Sequence, residues 1–104
     1  MALTLGFASG RKRRRHFYDH RNDFPAVTTE LEYETLADIF LGSVLGVDSL
    51  QCARKNGDAV RLNMVTNEFG IVTKNGYIRT YFKPSEPFLA GRTPLQYFND
   101  ECAK

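Results

Sequence analysis

Ring-bearing residues recur at helical spacing near the start of the chain. His16, Phe17, His20 and Phe24 fall on one side of a helix, and Pro25 follows them directly. The residue before a proline avoids helical geometry, so Pro25 closes the segment. The pattern predicts a short first helix that begins near His16.

A second helix is predicted by its start signal and by the apolar stripe that follows. Thr29 is a favourable N-cap residue, and Glu32, three positions later, completes a capping box. Gly46 is the predicted stop, because glycine is common just after the end of a helix. The stripe has the spacing of one helix face and consists of Tyr33, Leu36, Ala37, Phe40 and Val44.

The second half of the chain has the pattern of short antiparallel strands. Asn56-Gly57 and Asn75-Gly76 each separate two runs of strand-forming residues. Asn-Gly favours the tight primed turns whose twist matches that of paired strands. Two such hairpins in succession predict a four-stranded antiparallel meander over residues 50–55, 58–65, 68–74 and 77–82.

The elements together predict an α+β fold, in which N-terminal helices pack on one face of the four-stranded meander. Thr93 followed by Pro94 is the start signal of a short C-terminal helix. A chain of 104 residues seldom holds two cores, so residues 16–104 are expected to form a single domain. Residues 1–15 show no apolar period and are expected to form a flexible basic leader.

The predicted turns also assign side chains to the two faces of the sheet. A two-residue turn at Asn75-Gly76 pairs Val72 with Arg79 and Ile71 with Thr80. If the apolar face packs on the second helix, the outer face gathers cations and rings, which is either an ordinary solvated sheet face or a surface for a polyanion. These outer residues are Arg54, Arg61, Lys74, Arg79, Tyr77 and Tyr81.

Charge is distributed unevenly along the chain, although the formal net charge is only +2. Residues 1–24 carry six basic and two acidic side chains, whereas residues 25–104 carry eight basic and ten acidic ones. The run of five cations at residues 11–15 would attract a phosphate backbone. Such runs are also typical of cleavage sites, localisation signals and solubilising tails.

Composition excludes several classes of protein. Hydrophobic residues at 42% and charged residues at 25% are near the averages for soluble domains, which argues against a wholly disordered or membrane chain. We expect neither a membrane span nor a signal peptide. Cys52 and Cys102 lie far apart without metal-ligand spacing, so we expect reduced thiols, no zinc site and no cofactor.

His16 and His20 are the only histidines, and their i, i+4 spacing places them on one helix face. Three interpretations remain open: imidazoles with no chemical role, a two-histidine metal site, or acid and base groups that titrate near neutral pH. A metal site would need Asp19, Asp23 or Cys52 as a third ligand, and no recognisable motif supplies one.

Acid and base chemistry by these histidines would suit RNA cleavage. The 2′-hydroxyl of RNA attacks its own phosphate, so a protein need only move two protons and stabilise the added charge. The catalytic candidates are His16, His20, Arg79, Thr80 and Tyr97, provided that the first helix crosses one end of the sheet. The RNA-binding candidates are Arg13, Arg14, Arg15, Arg54, Arg61, Lys74, Tyr77, Tyr81 and Lys83.

Four motifs follow one another along the chain: His16-Phe17-x-x-His20, Thr66-Asn67-Glu68-Phe69-Gly70, Gly76-Tyr77-Ile78-Arg79-Thr80-Tyr81-Phe82-Lys83-Pro84 and Tyr97-Phe98. Their order resembles that of the small RNase toxin domains of the barnase, EndoU, colicin and RelE-like group, which occur at the C-termini of bacterial polymorphic toxins. The resemblance covers about residues 15–102.

The resemblance implies a metal-independent endoribonuclease that acts, often on tRNA, in the cytoplasm of a target bacterium after delivery as part of a secreted toxin. It also implies a cognate immunity protein as partner, and a catalytic centre at His20, Arg79 and Thr80, with His16 as a further candidate. We separately expect the chain to be a monomer. Two alternatives belong to other classes: a non-catalytic nucleic-acid-binding module, and a phage- or toxin-associated interaction domain.

Overall fold

The predicted α+β fold is confirmed by a computed structural model, which describes residues 3–104. None of the helices in these residues has both the length and the apolar character needed to cross a bilayer. The elements are α1 (Gly10–His20), a 3-10 turn (Arg21–Asp23), α2 (Glu30–Gly42), β1 (Ser49–Ala53), β2 (Ala59–Asn63), β3 (Phe69–Val72), β4 (Ile78–Phe82) and α3 (Pro94–Cys102).

The N-terminal segment is part of the folded structure, so the predicted leader over residues 1–15 is wrong; its residues 1 and 2 lie outside the described residues. Helix α1 begins at Gly10, with the Ser9 side chain accepting a hydrogen bond as N-cap, and the basic run forms its first turns. Phe7 is buried and bridges Ile78 of β4. The sequence did not predict that the folded part begins before His16, because one buried aromatic residue, Phe7, produces no periodic pattern.

The capping box at the start of α2 is confirmed. The Thr29 hydroxyl accepts a hydrogen bond from the Glu32 backbone N–H, and the Glu32 carboxylate accepts one from Thr29. The helix ends at Gly42 rather than Gly46, which leaves Val44 outside it and exposed. The buried face of α2 is formed by Tyr33, Ala37, Asp38, Phe40 and Leu41, whereas Leu36 is at the surface.

The four strands form the predicted meander, in the order β1-β2-β3-β4. The hairpin loops, however, contain three residues instead of two. The Gly76 N–H donates to the Thr73 carbonyl and the Thr73 N–H donates to the Tyr77 carbonyl, so only Gly76, at φ 95°, takes the positive dihedral. This is a type I turn with a glycine bulge, and the loop at residues 55–57 follows the same pattern.

A second irregularity in β4 changes which side chains share a face. Ile71 pairs with Thr80 as predicted, but Val72 pairs with Ile78 instead of Arg79. Ile78 therefore moves to the face that carries Tyr81. The residue left in the irregularity is Arg79.

Both faces of the sheet are covered, which corrects the prediction of an exposed basic face. On one face, Ile78 and Tyr81 pack with Phe7 and with rings of α1 and α2. Leu41 of α2 sits directly on Gly70, where an added Cβ would lie 2.9 Å from the leucine side chain. The opposite face, predicted to contact α2, packs instead on Leu89 and α3, and its strand residues are Val60, Leu62, Phe69, Ile71 and Phe82.

Cys52 and Cys102 form a disulfide, so the prediction of reduced thiols is wrong. The bond joins β1 to the last residue of α3, and the Cα atoms lie 6.0 Å apart. Spacing along the sequence excluded a metal site but carried no information about a contact between residues fifty positions apart.

Candidate functional site

An open cleft of about 560 Å³ lies where α1, β4 and α3 meet. Its volume is within the usual range for sites that bind small ligands. The structure brings together in this cleft all five residues that the sequence predicted for catalysis: His16, His20, Arg79, Thr80 and Tyr97.

Helix α1 supplies both imidazoles from successive turns. The ring centroids of His16 and His20 are 5.9 Å apart. His20 stacks on Phe82 of β4 at 4.9 Å, and His16 stacks on Phe7 at 5.2 Å. The rings are therefore held by packing, while Nδ1 of His16 is buried without a hydrogen-bond partner among residues 3–104.

Burial lowers the pKa of both histidines below the ordinary value. For His16, the neighbouring charges of His20, Arg15 and Lys12 lower the pKa further, against the opposing effect of Asp19. For His20, burial outweighs the carboxylates of Asp23 and Asp19, which raise the pKa. Near neutral pH the cleft thus presents imidazoles that accept protons, and the two rings differ in the sign of the charge around them.

Arg79 reaches the cleft because a buried carboxylate holds it there. Its Nε lies 3.1 Å from Oδ2 of Asp58, whose side chain is only 3% exposed, while the Arg79 side chain is 53% exposed. The backbone irregularity at Arg79 frees this residue from the alternation of β4. The guanidinium therefore has a fixed direction and an accessible surface.

Arg54 also lines the cleft but is engaged by acids on two sides. Its Nη2 lies 2.7 Å from Oε1 of Glu101, and its Nη1 lies 3.6 Å from Asp58. Only 11% of the side chain is exposed. Arg54, which directly follows β1, therefore connects this strand to α3 beneath the cleft. It does not present the open cation that the sequence predicted for RNA binding.

Thr80 and Tyr97 supply hydroxyl groups to the cleft. Thr80 shares the sheet face of Ile71 and Phe82, as the register predicted, and it is half-buried because the cleft opens over this end of the face. Burial and the nearby Glu101 raise the pKa of Tyr97 to about 12, against Arg54 and Arg92. The phenol thus keeps its proton and can donate a hydrogen bond at neutral pH.

Arg61 and Tyr81 were predicted to bind RNA on an exposed sheet face. The predicted exposure is wrong for both residues, because both are buried. Nη1 of Arg61 donates to the carbonyl of Phe40 at 2.7 Å, and its Nε donates to Gln51. The Tyr81 hydroxyl donates to Glu68 at 2.5 Å. Both residues lie under α2, because this helix covers the sheet face that the sequence left open.

The other predicted RNA contacts are divided between ion pairs and open surface. Arg13 and Arg14 both pair with Glu30 of α2, which ties α1 to α2. Lys83 lines the cleft and extends over the ring of Phe24. The remaining three predicted contacts are Lys74 and Tyr77 in the β3–β4 hairpin and Arg15 on α1. Lys74 packs close to Gly57, and Arg15 and Tyr77 border a second cavity.

Sequence reasoning missed two residues of the cleft region. Phe88 is 53% exposed and stands edge-on to Phe82 at 5.4 Å, so the cleft has an open aromatic wall. Phe88 was missed because an aromatic residue in a proline-containing loop is as consistent with a buried position as with an exposed one. Asp58 was missed because no periodicity marks a carboxylate that bridges two arginines, although its position next to Asn56-Gly57 marks a constrained turn.

Within residues 3–104, no group of three or more His, Cys, Asp and Glu side chains is arranged to hold a metal ion. Comparison with protein-family models gives no match to this chain, and comparison with curated proteins gives none either. The class that the fold and the site define is therefore an α+β domain with a cleft of two imidazoles and a guanidinium.

Proposed function

We propose that this protein is an endoribonuclease that cleaves RNA without a metal ion, by attack of the 2′-hydroxyl on the adjacent phosphate. The observation that carries the proposal is the common cleft of His16, His20 and Arg79. These are the group types that the reaction needs: one to accept a proton, one to donate a proton and one to stabilise negative charge.

The charges around the two imidazoles support a division of roles. His16 lies among His20, Arg15 and Lys12, which favour its neutral form and are opposed by Asp19 alone, whereas the charges that act on His20 are the carboxylates of Asp23 and Asp19, which favour its protonated form. Pairs of groups whose surroundings differ in this way commonly divide into base and acid. We assign the base to His16 and the acid to His20.

In this scheme His16 takes the proton from the 2′-hydroxyl, and the new bond forms between the 2′-oxygen and phosphorus. The bond from phosphorus to the 5′-oxygen breaks, and His20 gives its proton to that oxygen. The products are a 2′,3′-cyclic phosphate and a 5′-hydroxyl, so protons and electrons balance without a further reactant. Arg79 stabilises the added charge on the phosphate oxygens, and the hydroxyls of Tyr97 and Thr80 donate hydrogen bonds to them.

The aromatic wall of the cleft favours an unpaired base as part of the substrate. Phe88 is exposed and Phe82 and Tyr97 pack behind it, with ring centroids of Phe88 and Tyr97 at 5.1 Å. Exposed rings next to cations are the usual platform for single-stranded nucleic acid, because every base has a face that can stack. The substrate class is therefore single-stranded RNA or the loop of a folded RNA.

Action as a bacterial toxin, with tRNA as target and an immunity protein as partner, is proposed on the resemblance alone. The expected outcome is growth arrest on expression in a bacterial cytoplasm, with cleaved tRNA visible on a denaturing gel. Expression of the His20→Ala variant at the same level is the matched control. Arrest by that variant would contradict toxicity through cleavage.

Cleavage in EDTA is the first test of the proposed function. The wild type should cleave single-stranded RNA in the presence of chelator, and His20→Ala and Arg79→Ala should each lose about 100-fold or more in kcat. Arg21→Gln is the matched control, since Arg21 follows His20 but lies over the ring of Tyr18 and outside the cleft. Circular dichroism checks that the variants are folded, and unchanged rates in both cleft variants would reject the site.

A substrate with sulfur in place of the bridging 5′-oxygen tests the assignment of acid and base. A thiolate leaves without protonation, so this substrate removes the need for a general acid. The defect of His20→Ala should largely disappear on the thio substrate, while that of His16→Ala should persist. The opposite pattern of rescue would exchange the two roles.

A further inference from the structure

A second cavity, of about 430 Å³, adjoins the cleft and is not used by the chemistry described above. His16 and Arg79 line both cavities, so they stand at the boundary between them. The second cavity, here called the hairpin groove, lies between α1 and the β3–β4 hairpin. Its distinctive side chains are Lys12, Arg15, Asp19 and Tyr77.

The cations of the hairpin groove are open to solvent. The Arg15 side chain is 82% exposed, and its Nε is 4.0 Å from Asp19, which is itself 59% exposed. A pair of this length at the surface contributes little, so it does not compete strongly with a phosphate. Lys12, one turn earlier on α1, is exposed as well.

The ring of Tyr77 is presented to the groove by a fixed backbone. Its carbonyl accepts the Thr73 N–H at 2.8 Å, and its N–H donates to the Thr73 hydroxyl at 3.1 Å. The residue directly precedes β4 and is 38% exposed, in contrast with the buried Tyr81 of that strand. An exposed ring at a fixed position opposite two cations is an arrangement that fits a base and its phosphate.

We propose that the hairpin groove binds the nucleotide next to the scissile phosphate, with its base on Tyr77 and its outer phosphate at Lys12 and Arg15. The proposal rests on the proposed function and adds a path for the substrate strand across the two cavities. One nucleoside occupies the aromatic cleft, the next occupies the hairpin groove, and the scissile phosphate lies between them at His16 and Arg79. The strand must be unpaired at both positions.

Binding of an RNA that cannot be cleaved tests the groove separately from catalysis. The probe is a fluorescein-labelled, single-stranded octanucleotide of mixed sequence with 2′-O-methyl groups, which remove the attacking hydroxyl. Fluorescence anisotropy should give a Kd that is about tenfold higher for Tyr77→Ala, because a stacked base is lost. Tyr77→Phe keeps the ring and should bind within about twofold of the wild type.

Salt dependence separates phosphate contacts from general charge effects. Lys12→Gln and Arg15→Gln should each reduce the slope of log Kd against log salt by about 0.7, the value for one contact to a single strand. Arg21→Gln removes one exposed cation outside both cavities and should leave the slope unchanged. Melting temperatures of all variants confirm that they are folded.

The outcomes distinguish the groove from the proposed function. Kd and slopes equal to those of the wild type in Tyr77→Ala, Lys12→Gln and Arg15→Gln overturn the groove, even if RNA is cleaved. The expected changes in Kd support binding in the groove. If they occur but the wild type does not cleave RNA at all, only the ribonuclease proposal is overturned. Failure of the wild type to bind the probe at low salt overturns the groove as well.

Discussion

Asp58 is almost fully buried, yet it determines the position of a side chain in the cleft. Its Oδ2 lies 3.1 Å from Nε of Arg79 and 3.6 Å from Nη1 of Arg54, and the Asn56 side chain donates a hydrogen bond to it at 3.2 Å. A buried carboxylate with this many partners is fixed, and it fixes the guanidinium that it pairs with. Asp58 is thus a positioning residue for Arg79 in the proposed reaction.

Asp58→Asn should lower kcat by tenfold or more, because the neutral amide loses the charged contact that directs Arg79. A double-mutant cycle checks that the effect passes through Arg79. If it does, Asp58→Asn combined with Arg79→Ala should be no slower than Arg79→Ala alone. Losses that simply multiply would show that Asp58 acts on catalysis by another route.

The lowered pKa values of His16 and His20 predict the pH dependence of catalysis. The proposed reaction needs one neutral and one protonated imidazole, and both pKa values lie below about 6.5. We expect kcat/KM to peak on the acidic side of pH 6.5 and to fall toward neutral pH. An activity that is constant from pH 5 to pH 8 would contradict the two-histidine mechanism.

The same pKa values predict a loss of stability in acid. Because the folded state favours neutral imidazoles, their contribution is fully present above about pH 6.5 and is lost as the pH falls through the folded pKa values. Urea unfolding at several pH values should show a decline below pH 6.5. The decline should be shallower when both histidines are replaced by glutamine.

At the scale of single residues, chemistry could be predicted better than position. The sequence contains only two histidines, and their i, i+4 spacing predicted that they share a helix face. Arg79 and Tyr97 were predicted from the chemistry of their side chains, and all four residues line one cleft. Arg61 was misplaced because an arginine reads as a surface cation, whereas here it satisfies the carbonyls of Phe40 and Ser43 under α2. Partners of this kind are set by packing and leave no mark in the local sequence.

At the scale of elements, the β3–β4 hairpin determines where the proposed catalytic arginine lies. The three-residue loop shifts the pairing of Val72 to Ile78, and the irregularity then restores the pairing of Ile71 with Thr80. Asn-Gly predicted the hairpin correctly but suggested the shorter turn, because the same dipeptide fits both loop types. A shift of one residue reverses the faces of the strand, so Ile78 lies on the face covered by α2, whereas a two-residue turn would place it on the opposite face.

Replacement of Gly76 tests this loop. Gly76 has φ 95°, and an added Cβ would meet only Leu5 at 3.4 Å, an ordinary contact, so the cost is one of backbone conformation. Gly76→Ala should reduce the free energy of unfolding by about 1 kcal/mol. Gly46→Ala is the matched control, because an added Cβ has no neighbour within 4 Å there and should change stability by less than about 0.5 kcal/mol.

At the scale of the whole molecule, the disulfide joins the edge strand β1 to the end of α3, the helix that forms one wall of the cleft. Cys102 follows Glu101, which holds Arg54, and Tyr97 lies one turn earlier on α3. The side chains packed between α3 and the sheet face opposite α2, together with the Cys52–Cys102 bond, therefore hold α3 against the sheet. Loss of the bond should loosen the wall of the cleft as well as the fold.

Cys52→Ser with Cys102→Ser should reduce the free energy of unfolding by about 3 kcal/mol, because the bond closes a loop of 50 residues in the unfolded chain. For a domain of this size the melting temperature should fall by more than about 10 °C. Reductant should destabilise the wild type to the same extent and leave the double variant unchanged. Equal melting temperatures before and after reduction would contradict a stabilising bond.

The order of the elements could be predicted for the whole molecule, but their layering could not. The capping box at Thr29, the N-cap Thr93 followed by Pro94, and the two Asn-Gly turns are local signals, and each predicted an element of the right kind. The covering of both sheet faces depends on contacts such as Leu41 on Gly70, between residues far apart in sequence. The alternation of apolar and polar residues along one strand does not indicate which helix will pack on each face of the sheet.

The N-terminal segment also shields the last strand of the sheet. Backbone hydrogen bonds join Leu5 to Gly76 and Ile78 to Gly6, and the Asp38 carboxylate accepts from the backbone N–H groups of Leu3 and Thr4. An expression clone trimmed to begin near His16 would leave the outer backbone of β4 without these partners. Unprotected strand edges recruit one another, so the shortened protein should precipitate as intermolecular sheet rather than gain solubility.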